Sequence, residues 1–345
     1  MICYYSVIMK KIFITGGFGF IGTKLAEKAL SKGYSVYLYD SLVYQQNYNK
    51  LIKEISKKKG AILEWTIGDT RNIELLRKSI VNFKPDFIFH FAELVGIYAC
   101  NHNPQHTREI NFEASKKVID LSIELNIPTI YNSTSSVYGN QKKNKLLHEN
   151  VLLSKPGDHY CNNKLKMEQY IIKKVKSHPK FKIIILRPAT IWGLSPRMRI
   201  ELLPNHFIYS AVAKGMIKIS EPKSHRAEMD MDDMINAYFS IMAKDKWPRL
   251  IYNVGNHNIS KIEVAKIIQS VVPCKIETLG DIGDTRNLRI NSEAFCKDFD
   301  WKPKNDFKQT VKKVSVWMKK NIKTIEKSKY AGMINSPLEQ WLKMI

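Results

Sequence analysis

The stretch Gly16-Gly17-Phe18-Gly19-Phe20-Ile21-Gly22 follows an apolar run, Lys11–Thr15, and leads straight into a helix-period segment over residues 22–31. Leu25, Ala26, Ala29 and Leu30 fall on one side of that segment. Glycines at 16, 19 and 22 between a strand and a helix constrain the fold severely. The first permits a tight turn, the second lets a ligand approach the backbone, and the third lets helix and strand pack closely. The helix N-terminus then offers unpaired N–H groups and partial positive charge to a pyrophosphate. Asp40 closes the next strand-like run, residues 35–39, and lies 21 residues past Gly19. A carboxylate there can take both ribose hydroxyls of an adenosine and repels a 2′-phosphate. Strand, glycines, helix and acid in register predict a dinucleotide site and favour NAD over NADP. The plain alternative is a glycine-rich turn with no ligand.

Further strand-like runs fall at 62–67, 87–91, 129–132 and 182–186. A helix over residues 107–125 places Ile110, Ala114, Val118, Leu121 and Leu125 on one face. Strands alternating with helices imply βαβ units and a parallel sheet. Apolar strands without period-2 alternation fit a sheet covered on both faces. The expected fold is α/β, a doubly wound parallel sheet of Rossmann type with a smaller C-terminal substrate-binding domain. Beyond Pro188 the pattern changes: prolines and basic residues punctuate 193–204, a helix follows at 261–270, and residues 307–325 form an amphipathic tail. We therefore expect an N-terminal extension over 1–8, a cofactor domain over 9–190, and a mainly substrate-binding part over 191–345. Segments near 229–254 should return to the sheet.

The 345 residues carry 55 Lys and Arg against 32 Asp and Glu, a formal charge of +23 that raises the question of a polyanion partner. Only ten of the basic residues are arginine, the side chain that makes bidentate phosphate and guanine contacts. The lysines are scattered in short runs such as Lys57-Lys58-Lys59, Lys142-Lys143, Lys173-Lys174, Lys312-Lys313 and Lys319-Lys320. Solvated helix faces explain them better than a nucleic-acid surface. No run reaches the roughly 18 apolar residues of a membrane helix, so neither nucleic acid nor membrane is expected as a partner. The five cysteines are widely spaced, with no C-x-x-C, which argues against structural zinc and for a reducing compartment; the cytoplasm is the expected location.

Tyr160 and Lys164 stand at i and i+4, on one face of a helical segment that continues through Met167, Tyr170 and Ile171. A tyrosine that serves as base at neutral pH needs its pKa lowered by ~3 units, roughly 4 kcal/mol of charge stabilisation, which a nearby ammonium and an oxidised nicotinamide can supply. Tyr-x-x-x-Lys alone is a frequent accident. It gains weight by falling 26 residues past Thr134, within Ser133-Thr134-Ser135-Ser136-Val137-Tyr138-Gly139 at the carboxyl end of the fifth strand-like run. Those hydroxyls could hold a substrate alcohol; simple turn chemistry is the alternative.

With these motifs go Gly68-Asp69, His90-Phe91-Ala92, Leu186-Arg187-Pro188, Asp232-Asp233 and Tyr252-Asn253-Val254-Gly255. From about residue 9 to at least residue 301, the chain resembles the extended short-chain dehydrogenases/reductases acting on nucleotide sugars. The resemblance implies Tyr160 as base, Lys164 on the nicotinamide ribose, and Thr134 hydrogen-bonded to the sugar hydroxyl. It implies Asp40 and Asp69 at the adenosine end, within a cofactor set of Gly16, Phe18, Gly19, Phe20, Ile21, Gly22, Thr70, Phe91, Ala92 and Lys164. It also implies a homodimer through the 107–125 and Tyr160 helices.

Departures from the family pattern bear on the reaction. Dehydratases of the family usually carry Asp-Glu after the catalytic Thr, whereas Ser135-Ser136 stand here, which argues against 4,6-dehydration. Glu93 replaces a usual Ala, and is either a substrate contact or a surface-loop residue. Thr190, Ala227 and Asp230 also depart from the pattern. The segment from Trp192 to Asn205, with Ala92-Glu93-Leu94-Val95-Gly96 and Asn103-Pro104, resembles a subgroup that oxidises the sugar C4, including GDP-heptose 4-dehydrogenases of surface-polysaccharide pathways. Arg197, Arg199, Arg226 and Arg289 lie in the expected substrate half, where a nucleotide diphosphate needs planar donors. Glu93, Ser135 and Asn205 complete the expected substrate set. The expected activity is NAD-dependent oxidation at C4 of a nucleotide sugar, by a 4-epimerase or 4-dehydrogenase with no metal. A 4,6-dehydratase and a non-catalytic dinucleotide sensor or RNA-binding protein are the alternatives.

Overall fold

The computed structural model describes residues 10–44, 47–56, 62–139, 145–151, 153, 157–280 and 287–327. The expected extension over 1–8 and the lysines at 57–59 and 142–143 lie outside the described residues.

Short apolar runs joined by helical crossovers return the chain in one direction each time, and the strands come out parallel. The first half runs β1 (Lys11–Thr15), α1 (Phe20–Ser31), β2 (Ser35–Asp40), α2 (Tyr48–Ile55), β3 (Leu63–Ile67), α3 (Ile73–Phe83) and β4 (Phe87–His90). Next come α4 (Ile97–His102), α5 (Pro104–Arg108), a π-helical turn Glu109–Ala114, α6 (Ser115–Glu124), β5 (Thr129–Asn132), β6 (Leu146–Leu147) and α7 (His159–Ser177). Then follow β7 (Ile183–Pro188), β8 (Thr190–Trp192), α8 (Leu203–Lys214), β9 (Met216–Ile219), β10 (His225–Asp230), α9 (Met231–Met242) and β11 (Ile251–Val254). The remainder is β12 (His257–Ser260), α10 (Lys261–Gln269), β13 (Lys275–Thr278), β14 (Arg289–Ile290), α11 (Glu293–Phe299) and α12 (Phe307–Lys327).

Seven parallel strands in the order β11-β7-β5-β4-β1-β2-β3 form the central sheet, flanked by helices in the Rossmann manner. The strand order reverses between β1 and β4, where Thr15 lies beside His90. Their carboxyl ends form the crevice in which doubly wound sheets bind ligands. Helix α9 packs on α1, and β11 is the edge strand beside β7, whereas Met229 and Asp230 end β10 in a separate small sheet. Small sheets accompany it, β12-β10-β8, β13-β9 and β14-β6.

Two expectations are corrected. The helix over 107–125 starts earlier, because Asn103 caps it through His106 N and Pro104 fits its first turn. It also widens into a π turn at 109–114 before α6 resumes. Strand β3 is not covered on both faces. It is the outer edge, and Trp65 and Ile67 are each 42% exposed. Among the described residues no helix is long and apolar enough to cross a membrane. Lys173, Lys312, Lys313, Lys319 and Lys320 are exposed.

Candidate functional site

Gly16 has φ +67°, and a Cβ there would lie 2.7 Å from the Phe91 carbonyl carbon. A Cβ at Gly22 would lie 2.5 Å from Gly16 O. These contacts bring the turn after β1 against the end of β4 and the first turn of α1 against the turn itself. The resulting cleft is lined by Gly16, Gly19, Phe20, Ile21, Gly22, Asp40, Asp69, Thr70, Phe91 and Ala92. Ten of the sequence-predicted cofactor residues therefore line one cleft. Phe18 contributes differently. Its ring is buried against Tyr48, and its N–H donates to Asp40 Oδ2 at 2.9 Å.

Asp40 also accepts from Leu42 N at 2.8 Å through Oδ1. Burial pushes its carboxyl above the usual range, against the pull of those two N–H groups and of the Arg197 charge. Asp69 behaves oppositely, held below the usual range by hydrogen bonds from Arg71 that outweigh its partial burial. The turn, the N-terminus of α1 and an acid at the end of β2 suit an adenosine diphosphate.

His90 fixes the floor of this cleft. Thr15 Oγ1 accepts from Phe91 N at 3.2 Å and Ala92 N at 3.3 Å, so its own proton is free to go to His90 Nδ1 at 2.7 Å. On the other side Ser115 Oγ donates to Ile110 O and so accepts from Nε2–H at 2.9 Å. The neutral tautomer is fully satisfied, and burial, helped by the Lys164 charge, lowers the imidazole pKa to about 3.

A second cavity adjoins the cleft and shares Phe20, Ile21, Phe91, Glu93, Val95 and Arg199 with it. Thr134, Ser135, Tyr160 and Lys164 all face this chamber. Asp158 caps α7 by accepting from Cys161 N at 2.8 Å, which sets the phase that turns Tyr160 and Lys164 inward together. Thr134 Oγ1 accepts from Ser136 N at 3.1 Å, which leaves its O–H to donate to a substrate oxygen. The Lys164 ammonium donates to Asn132 O, pairs with Glu93, and lies 5.9 Å from the Tyr160 ring centre. The i, i+4 spacing leads one to expect that Lys164 lowers the Tyr160 pKa. In the structure burial, followed by the Glu93 charge, pushes this phenol well above its usual value, with Arg199 opposing.

The substrate set divides. Glu93, Ser135, Arg199 and Arg226 line the chamber. Arg197 lines the cofactor cleft instead, its guanidinium 5.1 Å from the Tyr44 ring centre. The cause lies two residues earlier: Ser195 Oγ donates to Phe20 O at 2.6 Å and ties this loop to the start of α1. Asn205 is fully buried and braces the same loop, accepting from Gly193 N and donating to Arg199 O. Arg289 lies on β14 and, like Asn205, is not among the residues lining either cavity.

Sequence reasoning missed the layer beneath the chamber. Glu168, one turn past Lys164 on α7, accepts from Ser133 Oγ at 2.5 Å and from Arg187 Nη2 at 2.6 Å. Arg187 Nη1 donates to Tyr138 OH at 3.1 Å, and Tyr138 OH donates to Asn253 Oδ1 at 2.8 Å. The motifs at 133–139, 186–188 and 252–255 thus meet in one buried network. The i, i+4, i+8 spacing of Tyr160, Lys164 and Glu168 was the available signal.

A family model described as the NAD dependent epimerase/dehydratase family matches residues 12–255. The CDP-paratose 2-epimerase of Salmonella typhi is 24% identical over 340 residues, covering 89% of this chain and 98% of that protein. A putative UDP-glucose 4-epimerase of Methanocaldococcus jannaschii is 25% identical over 323 residues, covering 91% of this chain and 100% of that protein. The crystal structure of dTDP-glucose 4,6-dehydratase from Bacillus anthracis in complex with NAD superimposes with a TM-score of 0.79 at 24% identity. It covers 91% of this chain and 98% of that one.

Proposed function

We propose, on the premise that this chain belongs to the NAD-dependent epimerase/dehydratase family, that it oxidises the C4 hydroxyl of a nucleotide-diphosphate sugar to a 4-keto sugar. The enzyme is NAD-dependent and of the nucleotide-sugar epimerase/dehydratase type. The observation that carries the oxidation reading is the convergence of Thr134, Tyr160 and Lys164 on one chamber that opens into the cofactor cleft, and the choice of C4 follows the similarity to a 4-epimerase. Bound NAD supplies the hydride acceptor and a positive charge. The Gly16–Gly22 turn and Asp40 would hold its adenosine diphosphate half, and Lys164 its nicotinamide ribose.

The chain's own groups handle the proton. Thr134 donates its O–H to the sugar oxygen and fixes which hydroxyl faces Tyr160. Once ionised, with Arg199 and the positive charge of bound cofactor offsetting its burial, the Tyr160 oxygen takes the hydroxyl proton as C4 is oxidised, and returns it if the ketone is reduced again. Arg199 and Arg226 supply the donors for the diphosphate. The keto product is either re-reduced, giving a 4-epimerase, or released, giving a 4-dehydrogenase. Against 4,6-dehydration stands the donor set: the acids lining the chamber are Glu93, paired with Lys164, and Glu201, paired with Arg199 at 2.6 Å. We place the reaction in the cytoplasm and the molecule in a homodimer through α6 and α7, which already meet through the Tyr170 hydroxyl on Asp120.

Incubation with a panel of UDP-, GDP-, CDP- and dTDP-sugars, followed by mass spectrometry, tests the reading. Loss of two hydrogens marks oxidation, and unchanged mass with a new retention time marks epimerisation. Loss of water would overturn the C4 epimerase/dehydrogenase reading in favour of dehydration.

A further inference from the structure

The Glu93 side chain is only 2% exposed, which removes the surface-loop alternative. Its backbone is anchored through the two residues that follow it. The Asn111 amide accepts from Leu94 N and donates to Leu94 O, both at 2.8 Å, and Val95 N donates to Tyr44 OH at 3.0 Å. Held this way, the carboxylate accepts from Tyr131 OH at 2.9 Å through Oε1 and pairs with the Lys164 ammonium through Oε2. Lys164 is itself 5% exposed, donates to Asn132 O, and sits 4.9 Å from the Tyr131 ring centre. This is a built position on both sides of the pair.

An ammonium has three protons. Here one serves the end of β5 and one serves Glu93, which leaves one; a ribose that engages the ammonium through both of its vicinal hydroxyls has to share with, or displace, the carboxylate. The charge count points the same way. The pair is neutral as a unit, and Lys164 held by Glu93 has little field left for a phenolate at Tyr160.

We propose that Glu93 is a positioning residue that clamps Lys164 toward β5 and competes with the ribose hydroxyls of NAD for its ammonium. NAD binding and release of the carboxylate are then coupled. This rests on the cofactor reading and not on the identity of the sugar. The titratable groups facing Glu93 are Lys164 and Tyr160 from α7, Tyr131 from β5 and Cys100 from α4. His90 on β4 feels Lys164, and Arg199 acts on Tyr160 from the loop after β8.

The test uses the full-length protein and NAD alone. Glu93→Gln keeps the size and a hydrogen-bond acceptor for Tyr131 while removing the charge, and Glu93→Ala removes the contact. Tryptophan fluorescence titration should show NAD bound on the order of tenfold more tightly by either variant, the weight of one charge-assisted hydrogen bond. Lowering the pH neutralises the carboxyl, so wild-type affinity should approach that of Glu93→Gln. Tyr160 should ionise at lower pH in Glu93→Gln, read as ultraviolet phenolate absorbance against a Tyr160→Phe background. Unchanged or weaker NAD binding by a Glu93→Gln protein with wild-type circular dichroism overturns the proposal. Since no sugar nucleotide is present, a negative sugar panel leaves this result standing.

Discussion

Arg187 and Glu168 form a bidentate ion pair beneath the reaction chamber, with Nη2 2.6 Å and Nε 3.2 Å from the same oxygen and Nε 3.0 Å from the other. Their side chains are 4% and 1% exposed. One partner sits on the helix of Tyr160 and Lys164, the other on β7 of the central sheet, so the pair locks α7 to β7. Removing one partner strands a buried charge, which typically costs 3–5 kcal/mol. Arg187→Met and Glu168→Gln should each lower unfolding stability by about that much in urea titrations. A midpoint within error of wild type would show that the network does not brace the site.

Tyr160→Phe deletes only the proton-carrying oxygen. Turnover with the sugar nucleotide identified by the panel should fall by about 10²–10⁴-fold, the usual worth of a positioned acid–base group. NAD affinity should stay near wild type, because the cleft residues are untouched. Turnover within a few-fold of wild type would remove Tyr160 from the mechanism. Thr134→Val should lose less and mainly raise KM if the hydroxyl orients substrate.

Two glycines with positive φ, one before α1 and one after it, separate strain from cofactor contact. Gly16 has φ +67° and backbone 2.7 Å from a virtual Cβ, whereas Gly33 has φ +82° and open space. Alanine at either site carries left-handed strain of roughly 1–2 kcal/mol. Only Gly16→Ala also pushes against Phe91 and Ala92 in the cleft. It should weaken NAD binding at least tenfold, while Gly33→Ala binds NAD like wild type. Equal affinities for the two variants, measured by calorimetry, would mean the turn does not border the cofactor.

The parts of this molecule legible in the sequence are those in which local pattern and tertiary role coincide. Gly16, Gly19, Gly22 and Asp40 announce the cleft because each is demanded by backbone geometry within one βαβ unit. Tyr160 and Lys164 were legible because helical spacing alone puts them on one face. Arg197 and Asn205 were assigned to the substrate from their place in the chain. Their actual positions depend on Ser195 reaching Phe20 O, a contact between residues 175 positions apart. Glu168, Asn111 and His90 act through pairings across the sheet or between layers, and no periodicity encodes those. Glu93 showed as a departure from pattern, but only the fold reveals that Lys164 is its partner.

His90 makes the acid limb of stability predictable. Its imidazole is wholly buried, receives the Thr15 proton at Nδ1 and donates from Nε2 to Ser115. Protonating it would set two donors against each other at Nδ1, in a site that burial already makes unfavourable to charge. The folded pKa is about 3, against 6.5 for the free group. Between those values the unfolded chain binds a proton that the folded chain refuses, so stability present above pH 6.5 is lost as the pH falls toward 3. The slope for this one group is about 1.4 kcal/mol per pH unit, or roughly 2 kcal/mol by pH 5. His90→Asn should be less stable at neutral pH, through lost hydrogen bonds, yet lose less on acidification. The wild-type advantage should shrink by about 2 kcal/mol between pH 7 and pH 5 in urea titrations, since every other titrating group is common to both proteins. An advantage that stays constant over that range would show that His90 accepts its proton in the folded state.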